Sequence, residues 1–289
     1  ALILFGFVLQ RQRFLEQGFW AGAEKLNYFI LFPALLVNSL AQTSFDSPHL
    51  FKLALVVALG LAAGCAVMLL CKRIFGWDNL LLGVWTQGAL RFNTYLGLAT
   101  VASLIGKEGL AIAALIIAIK VPLVNVISVS AFSVGRGVSA KQLFLPVIKN
   151  PLILACLLGI ALNVSGIGLP FGFSGWFSML GAASLPLGML CVGAALRPAS
   201  LLCDRTPLVF NALIKLTLMP FIVALLAHWL GLPALESLLL VIFFALPTAS
   251  SSYILTRQMG GNGELMAGVV TLQTLLAVFT LPLTLWLLG

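Results

Sequence analysis

An arginine stands in the middle of a long apolar run at Arg91, followed by Phe92, Asn93 and Thr94. A guanidinium at that depth in a membrane costs at least about 2.5–3.5 kcal/mol unless a partner, a water-filled cavity or a ligand meets it. No Asp or Glu lies in the core of any apolar run: Glu108, Glu236 and Glu264 fall at run starts, and Asp46, Asp78 and Asp204 between runs. Water, backbone carbonyls and an anionic substrate are the partners open to Arg91, unless the side chain snorkels to an interface. A second polar stretch, Pro247-Thr248-Ala249-Ser250-Ser251-Ser252, interrupts another apolar run. Proline removes a backbone donor and clashes with the turn before it, and nearby hydroxyls can satisfy the groups it frees. Taken singly, each stretch is either a kink with back-bonding hydroxyls or a break in a helix. Taken as a pair, they describe two broken helices whose half-helix N-termini suit a negative group. The chemistry within reach is anion binding, with Arg91 as charge partner and Asn93, Thr94, Thr248, Ser250 and Ser251 as polar ligands. Gln273 and Lys215, on two other apolar runs, are second-rank ligand candidates, and Lys120 is a third basic residue within a run.

The elements that must position these residues are membrane spans. Of the 289 residues 61% are hydrophobic and only 8% charged, and the mean hydropathy is +1.14. A soluble domain carries about a quarter charged residues, so a water-soluble globule is excluded. A span needs roughly 20 apolar residues. Apolar runs occur at about 1–10, 22–42, 50–75, 79–104, 107–135, 140–165, 173–197, 206–230, 236–257 and 264–288, which predicts ten transmembrane helices. The first run is short, and residues 1–10 are expected to be the second half of a helix that begins upstream. Lys and Arg concentrate on cytoplasmic loops. The odd-numbered loops hold Arg11, Arg13, Lys25, Lys72, Arg73, Arg136, Lys141, Lys149, Arg197, Arg205 and Arg257, whereas the even-numbered ones hold Lys52 and Lys107. Both termini are therefore expected on the non-cytoplasmic side.

The two halves share landmarks. Gly6 and Gly159, Pro33 and Pro186, and Ala41 and Ala194 are each 153 residues apart; Gly76 and Gly231, Glu108 and Glu264, and Pro122 and Pro282 follow at slowly rising offsets. Asn93 falls opposite Ala249 on this scale, so the two polar stretches occupy corresponding positions. Five helices in each half is an odd number, which inverts one half relative to the other, as in secondary transporters. The first repeat is expected over 1–138 and the second over 139–289.

Other chemistries find no footing. The net charge of +8 is spread among apolar runs rather than gathered on a soluble face, so nucleic acid is not an expected partner. Cys65, Cys71, Cys156, Cys191 and Cys203 form no CxxC pair and read as packing residues. His49 and His228 make no metal site, and no metal or cofactor is expected. Ser250, Ser251 and Ser252 have no histidine in triad spacing, and the chain lacks a phosphate-binding GxxxxGK[ST] loop. An enzyme is not expected. Gly60 and Gly64 form a GxxxG that reads as helix packing.

Three segments resemble the auxin efflux carrier family, which includes the plant PIN auxin carriers and bacterial malonate and malate permeases: Lys25 to Leu36, Arg91-Phe92-Asn93-Thr94-Tyr95 and Ala245-Leu246-Pro247-Thr248-Ala249. The resemblance implies an all-α integral membrane fold of ten helices in two inverted five-helix repeats, like the bile-acid-symporter and sodium/proton-antiporter group. Spans 4 and 9 would cross as broken helices. Spans 1, 2, 6 and 7 would form a scaffold that can pair into a homodimer, and spans 3–5 and 8–10 a transport domain moving in elevator fashion. Asn93, Thr94 and the segment Pro247, Thr248, Ala249, Ser250, Ser251 would line the site. Plant members carry proline where this chain has Phe92, which implies a softer break in span 4. The implied function is secondary-active transport of a small organic anion, a mono- or dicarboxylate, in a bacterial inner membrane. A transport-silent sensor or lipid- or sterol-binding protein on the same fold is the alternative.

Overall fold

Proline placement shapes the first helices. α1 spans Leu2–Arg11, α2 spans Gln17–Leu26 and α3 spans Phe32–Ala41. α2 and α3 run on through a π-turn at Asn27–Leu31, directly ahead of Pro33 in the first turn of α3. Proline has no N–H for the usual i→i−4 bond, and a wider turn just before it lets the helix continue. The same device recurs at Ile214–Leu218 ahead of Pro220. The computed structural model describes residues 1–42, 49–133, 145, 148–169, 172–202 and 205–288. Asp46, Arg136, Lys141, Cys203, Asp204 and the repeat boundary expected at 138–139 lie outside the described residues.

Among the described residues every regular element is helical. The chain continues with α4 (Leu50–Phe75), α5 (Asn79–Leu90), α6 (Thr94–Leu104), α7 (Lys107–Ser133), α8 (Pro151–Val164) and α9 (Phe173–Ala194). A 3-10 turn at Pro198–Leu202 precedes α10 (Arg205–Leu213), which passes through the second π-turn into α11 (Met219–Trp229). α12 (Ala234–Ala245), α13 (Ser251–Gln258) and α14 (Gly263–Leu288) complete the fold. Among the described residues five helices are long and apolar enough to cross a membrane: Leu50–Phe75, Lys107–Ser133, Phe173–Ala194, Thr206–Trp229 and Gly263–Leu288. Large side chains lie bare on their outer faces, with Trp229 82% and Trp286 80% exposed. Such surfaces belong against lipid tails, not water. The chain is a multi-pass membrane protein. Two of the expected runs, 79–104 and 236–257, are each split into two helices, and these splits make the site described below.

The chain divides into two compact units. The first comprises Ala1–Ser47, Leu98–Ala118 and Ile148–Leu196. Within it α1 packs on α9, and α3 packs on α8 and α9. Asn27, wholly buried at the π-turn, donates from Nδ2 to the Ser184 carbonyl at 3.1 Å. Asn163 donates to the Leu40 and Ala41 carbonyls at 3.1 and 3.2 Å, closing the open end of α3. α1 and α9 meet at glycines: a Cβ on Gly6 would strike the Leu190 carbonyl, and one on Gly193 the Ile3 carbonyl. Both obstacles are backbone and cannot swing aside. Gly6→Ala and Gly193→Ala are each expected to destabilise this unit by about 1–3 kcal/mol or more, read as a fall in the thermal unfolding midpoint. Midpoints equal to wild type would show that the helices separate freely.

The second unit comprises Pro48–Gly97, Ile119–Val147 and Arg197–Gly289. Here the GxxxG of α4 is a packing seam, as its spacing predicts. Gly60 sits against Val223 and Phe244, and Gly64 against Leu90 and Met219. It seats α4 on α11 and on the last residues of α5 and α12.

Candidate functional site

Both splits are full breaks of the helical path. α5 stops at Leu90, and Arg91 is extended, with φ −67° and ψ 158°. α12 stops at Ala245, and Leu246 is extended, with φ −63° and ψ 142°. The two breaks are joined by backbone: the Asn93 amide donates to the Pro247 carbonyl at 2.8 Å. Phe92 does not soften the first break as its substitution for proline implied. Three things hold the chain out of the helix there. The Asn93 amide is committed across to Pro247, its side-chain oxygen caps α6 by accepting from the Leu96 amide at 3.1 Å, and Phe92 is buried edge-on against Phe243. An N-cap asparagine is worth about 1 kcal/mol, so a cap and a cross-chain bond do the work that a missing amide does elsewhere.

A broken helix leaves carbonyls that must be met inside a membrane. At the end of α5 the Gly88 carbonyl accepts Gln273 Nε2 at 3.1 Å, and the Gln87 carbonyl, already met by the Arg91 amide at 3.0 Å, also accepts the Thr248 hydroxyl at 3.0 Å. The Trp85 carbonyl accepts Asn211 Nδ2 at 3.0 Å. Gln273 also donates to Asn211 Oδ1 at 3.0 Å and accepts the Thr248 amide at 2.9 Å. Since the Thr248 hydroxyl spends its proton on Gln87, Ser252 is the donor in the 3.3 Å contact between the two hydroxyls. The Gln87 side chain reaches Thr256 at 2.8 Å. At the end of α12 the Phe243 carbonyl accepts Lys120 Nζ at 2.6 Å. Gln87, Thr248, Ser252, Thr256, Gln273 and Lys120 are all fully buried, so this network fastens the crossing from inside.

The predicted ligands thus separate into two groups. Thr248 and Gln273 use their polar atoms to hold the breaks together, and Pro247 is buried and contributes its carbonyl. Arg91, Thr94, Ala249, Ser250 and Ser251 are all half-buried. Arg91 reaches Ser251 Oγ at 3.2 Å and Gln87 Oε1 at 3.4 Å, which spans both breaks. Thr94 opens α6, and Ser250 stands at the cap of α13. Asn93 is buried and its Nδ2 has no hydrogen-bond partner. Lys215 is wholly buried in the second π-turn, with an Nζ that also has no hydrogen-bond partner, and it acts electrostatically on Lys120. Its turn packs against α5, α12 and α14. The crossing segments, from α5 to α6 and from Leu246 to the end of α13, contain no Asp or Glu; Glu236 lies in the first turn of α12. The arrangement is rich in donors and positive charge, which fits a carboxylate or similar anion. No cluster of His, Cys, Asp and Glu among the described residues could hold a metal ion.

Asn211 carries no mark in the sequence, Gln87 stands out there only as the start of the polar stretch 87–95, and Lys120 only as a basic residue within a run. Lys120 and Gln273 each donate to the carbonyl end of the opposite half's broken helix, but they do not fall at the offset that the neighbouring landmarks Glu108 and Glu264 or Pro122 and Pro282 set.

The family described as "Membrane transport protein" matches residues 136–285, a stretch that includes the second break, Lys215 and Gln273 and begins beyond Arg91. The match supports the auxin efflux carrier resemblance. No curated protein matches the chain.

Proposed function

We propose that this chain, which belongs to the membrane transport protein family, is a secondary-active carrier of a small organic anion, a mono- or dicarboxylate such as malonate or malate. The observation that carries this reading is Arg91, half-buried beside Ser251 where two broken helices meet. Its guanidinium presents parallel donors to a carboxylate. Asn93 Nδ2, left over by the crossing, and the hydroxyls of Thr94, Ser250 and Ser251 supply the remaining donors. Thr248, Ala249 and Pro247 shape the second wall and Gln273 holds it, with Lys215 in reserve for a second carboxylate. The carrier reading has spans 3–5 and 8–10 carry the anion in elevator fashion, with spans 1, 2, 6 and 7 as a scaffold that can pair with another copy. The support for that division is that the hydrogen bonds described above at the crossing join residues of the second unit, which holds parts of spans 3–5 and 8–10. The family's bacterial carriers imply an inner-membrane location with both termini outside the cytoplasm.

Thermal unfolding of the purified protein against small carboxylates, with sulfate and a small amine as controls, tests the anion reading. A ligand at a hundred times its dissociation constant stabilises by about 2.7 kcal/mol. The expected result is a rise confined to a few carboxylates. A panel with no shift from any carboxylate would sink the proposal.

A further inference from the structure

Lys120 sits near the middle of the 27-residue α7, about 20 Å from either end. Its side chain is too short to snorkel that far, and it is completely buried. The three groups in contact with its Nζ suit a positive charge, and they must offset the repulsion of a second buried lysine, Lys215. The Phe243 carbonyl is at 2.6 Å, and the faces of Phe244 and Phe92 lie at 3.5 and 4.3 Å from Nζ to ring centroid. Ring faces attract cations, most strongly where water is excluded. The carbonyl belongs to the last turn of α12, the end of a helix that carries partial negative charge. Carriers built on discontinuous helices hold their coupling Na⁺ at such half-helix C-terminal ends. Here that place is filled by an ammonium on the chain itself. At the other break, where Arg91 already supplies positive charge, a neutral amide from Gln273 meets the Gly88 carbonyl instead.

We propose that Lys120 is a tethered cation that stands in for a coupling alkali ion at the carbonyl end of α12, so that anion transport by this protein requires neither Na⁺ nor K⁺. The proposal rests on the carrier reading for its transport arm, while its stability arm stands alone. In proteoliposomes, uptake of labelled malonate should be the same with NaCl, KCl or choline chloride outside, and the wild-type unfolding midpoint should be the same in all three salts. A rise in flux or midpoint specific to Na⁺ or K⁺ would overturn it. Lys120→Ala should unfold several degrees lower and recover part of that loss in ethylammonium chloride, whose ammonium fits the vacated space, but not in choline chloride of equal ionic strength. A folded Lys120→Ala protein that ethylammonium does not restore would overturn the assignment. If the alanine variant does not fold, Lys120→Met keeps the bulk and loses the charge; its midpoint should fall below wild type, and an unchanged midpoint would overturn the assignment. Absence of malonate flux from wild type in every salt would count against the carrier reading, and the stability arm would still decide the role of Lys120.

Discussion

Arg91→Gln is expected to abolish carboxylate binding and leave the protein folded. The contacts of the guanidinium include two long ones, to Gln87 Oε1 and Ser251 Oγ. A glutamine amide can replace at least one of them, so the crossing should survive. The bound state loses far more. Removing one member of a desolvated, hydrogen-bonded charge pair costs about 2–5 kcal/mol, and each 1.4 kcal/mol is tenfold in affinity. The expected weakening is therefore at least about 30-fold, and in practice loss of a measurable signal. Titration calorimetry with whichever carboxylate stabilises the wild type supplies the number. Unchanged affinity in a variant with a wild-type unfolding midpoint would make Arg91 a structural residue and remove the main support for an anion carrier.

Gln273→Leu should give the largest loss of stability of any single change at the crossing. Its side chain is fully buried and serves three groups at once: the Thr248 amide, the Gly88 carbonyl and Asn211 Oδ1. Leucine fills the volume and meets none of them. A buried polar group left without a partner costs about 1–3 kcal/mol, so three together predict roughly 3–6 kcal/mol after partial relaxation. In lipid there is no water to take over, and the two broken helices should loosen together because both are tied to the same amide. The check is the unfolding midpoint of the variant in mild detergent. A leucine variant within about 1 kcal/mol of wild type would mean that the three groups find other partners.

Much of the fold was legible because apolar length and proline are strong signals in a membrane chain. The run predicted at 50–75 is α4, residue for residue, and the two polar interruptions fall where α5 and α12 end. From the sequence the break at Phe92 reads as weak, because Phe92 keeps the amide that a proline would lack. What makes the break is an asparagine cap and a bond to a carbonyl 154 positions further along the chain. Local sequence carries no mark of such a partner. The site was legible as a set of residue types but not as a division of labour. Thr248 and Arg91 are equally polar in the sequence, yet one is wholly buried and fastened to Gln87 while the other is half-buried and spans the breaks. Lys120 was hardest to place, because its partners are a main-chain oxygen and two phenyl faces. None of these announces itself as a counter-charge.

The hydrogen bonds of the crossing also impose an order on biosynthesis. The Trp85 and Gly88 carbonyls and the Asn93 amide leave the ribosome long before Asn211, Gln273 and Pro247, which stand 126, 185 and 154 residues downstream. At about 5–20 residues per second, that interval is roughly 6–40 seconds. Throughout it, the first broken helix waits at the membrane with main-chain groups that lipid cannot satisfy. The nascent first half therefore has reason to linger in the aqueous shelter of the insertion machinery, or to enter the bilayer as an unbroken helix and unwind only when its late-made partners arrive. Closure of the crossing in that sense waits for the helix that carries Gln273.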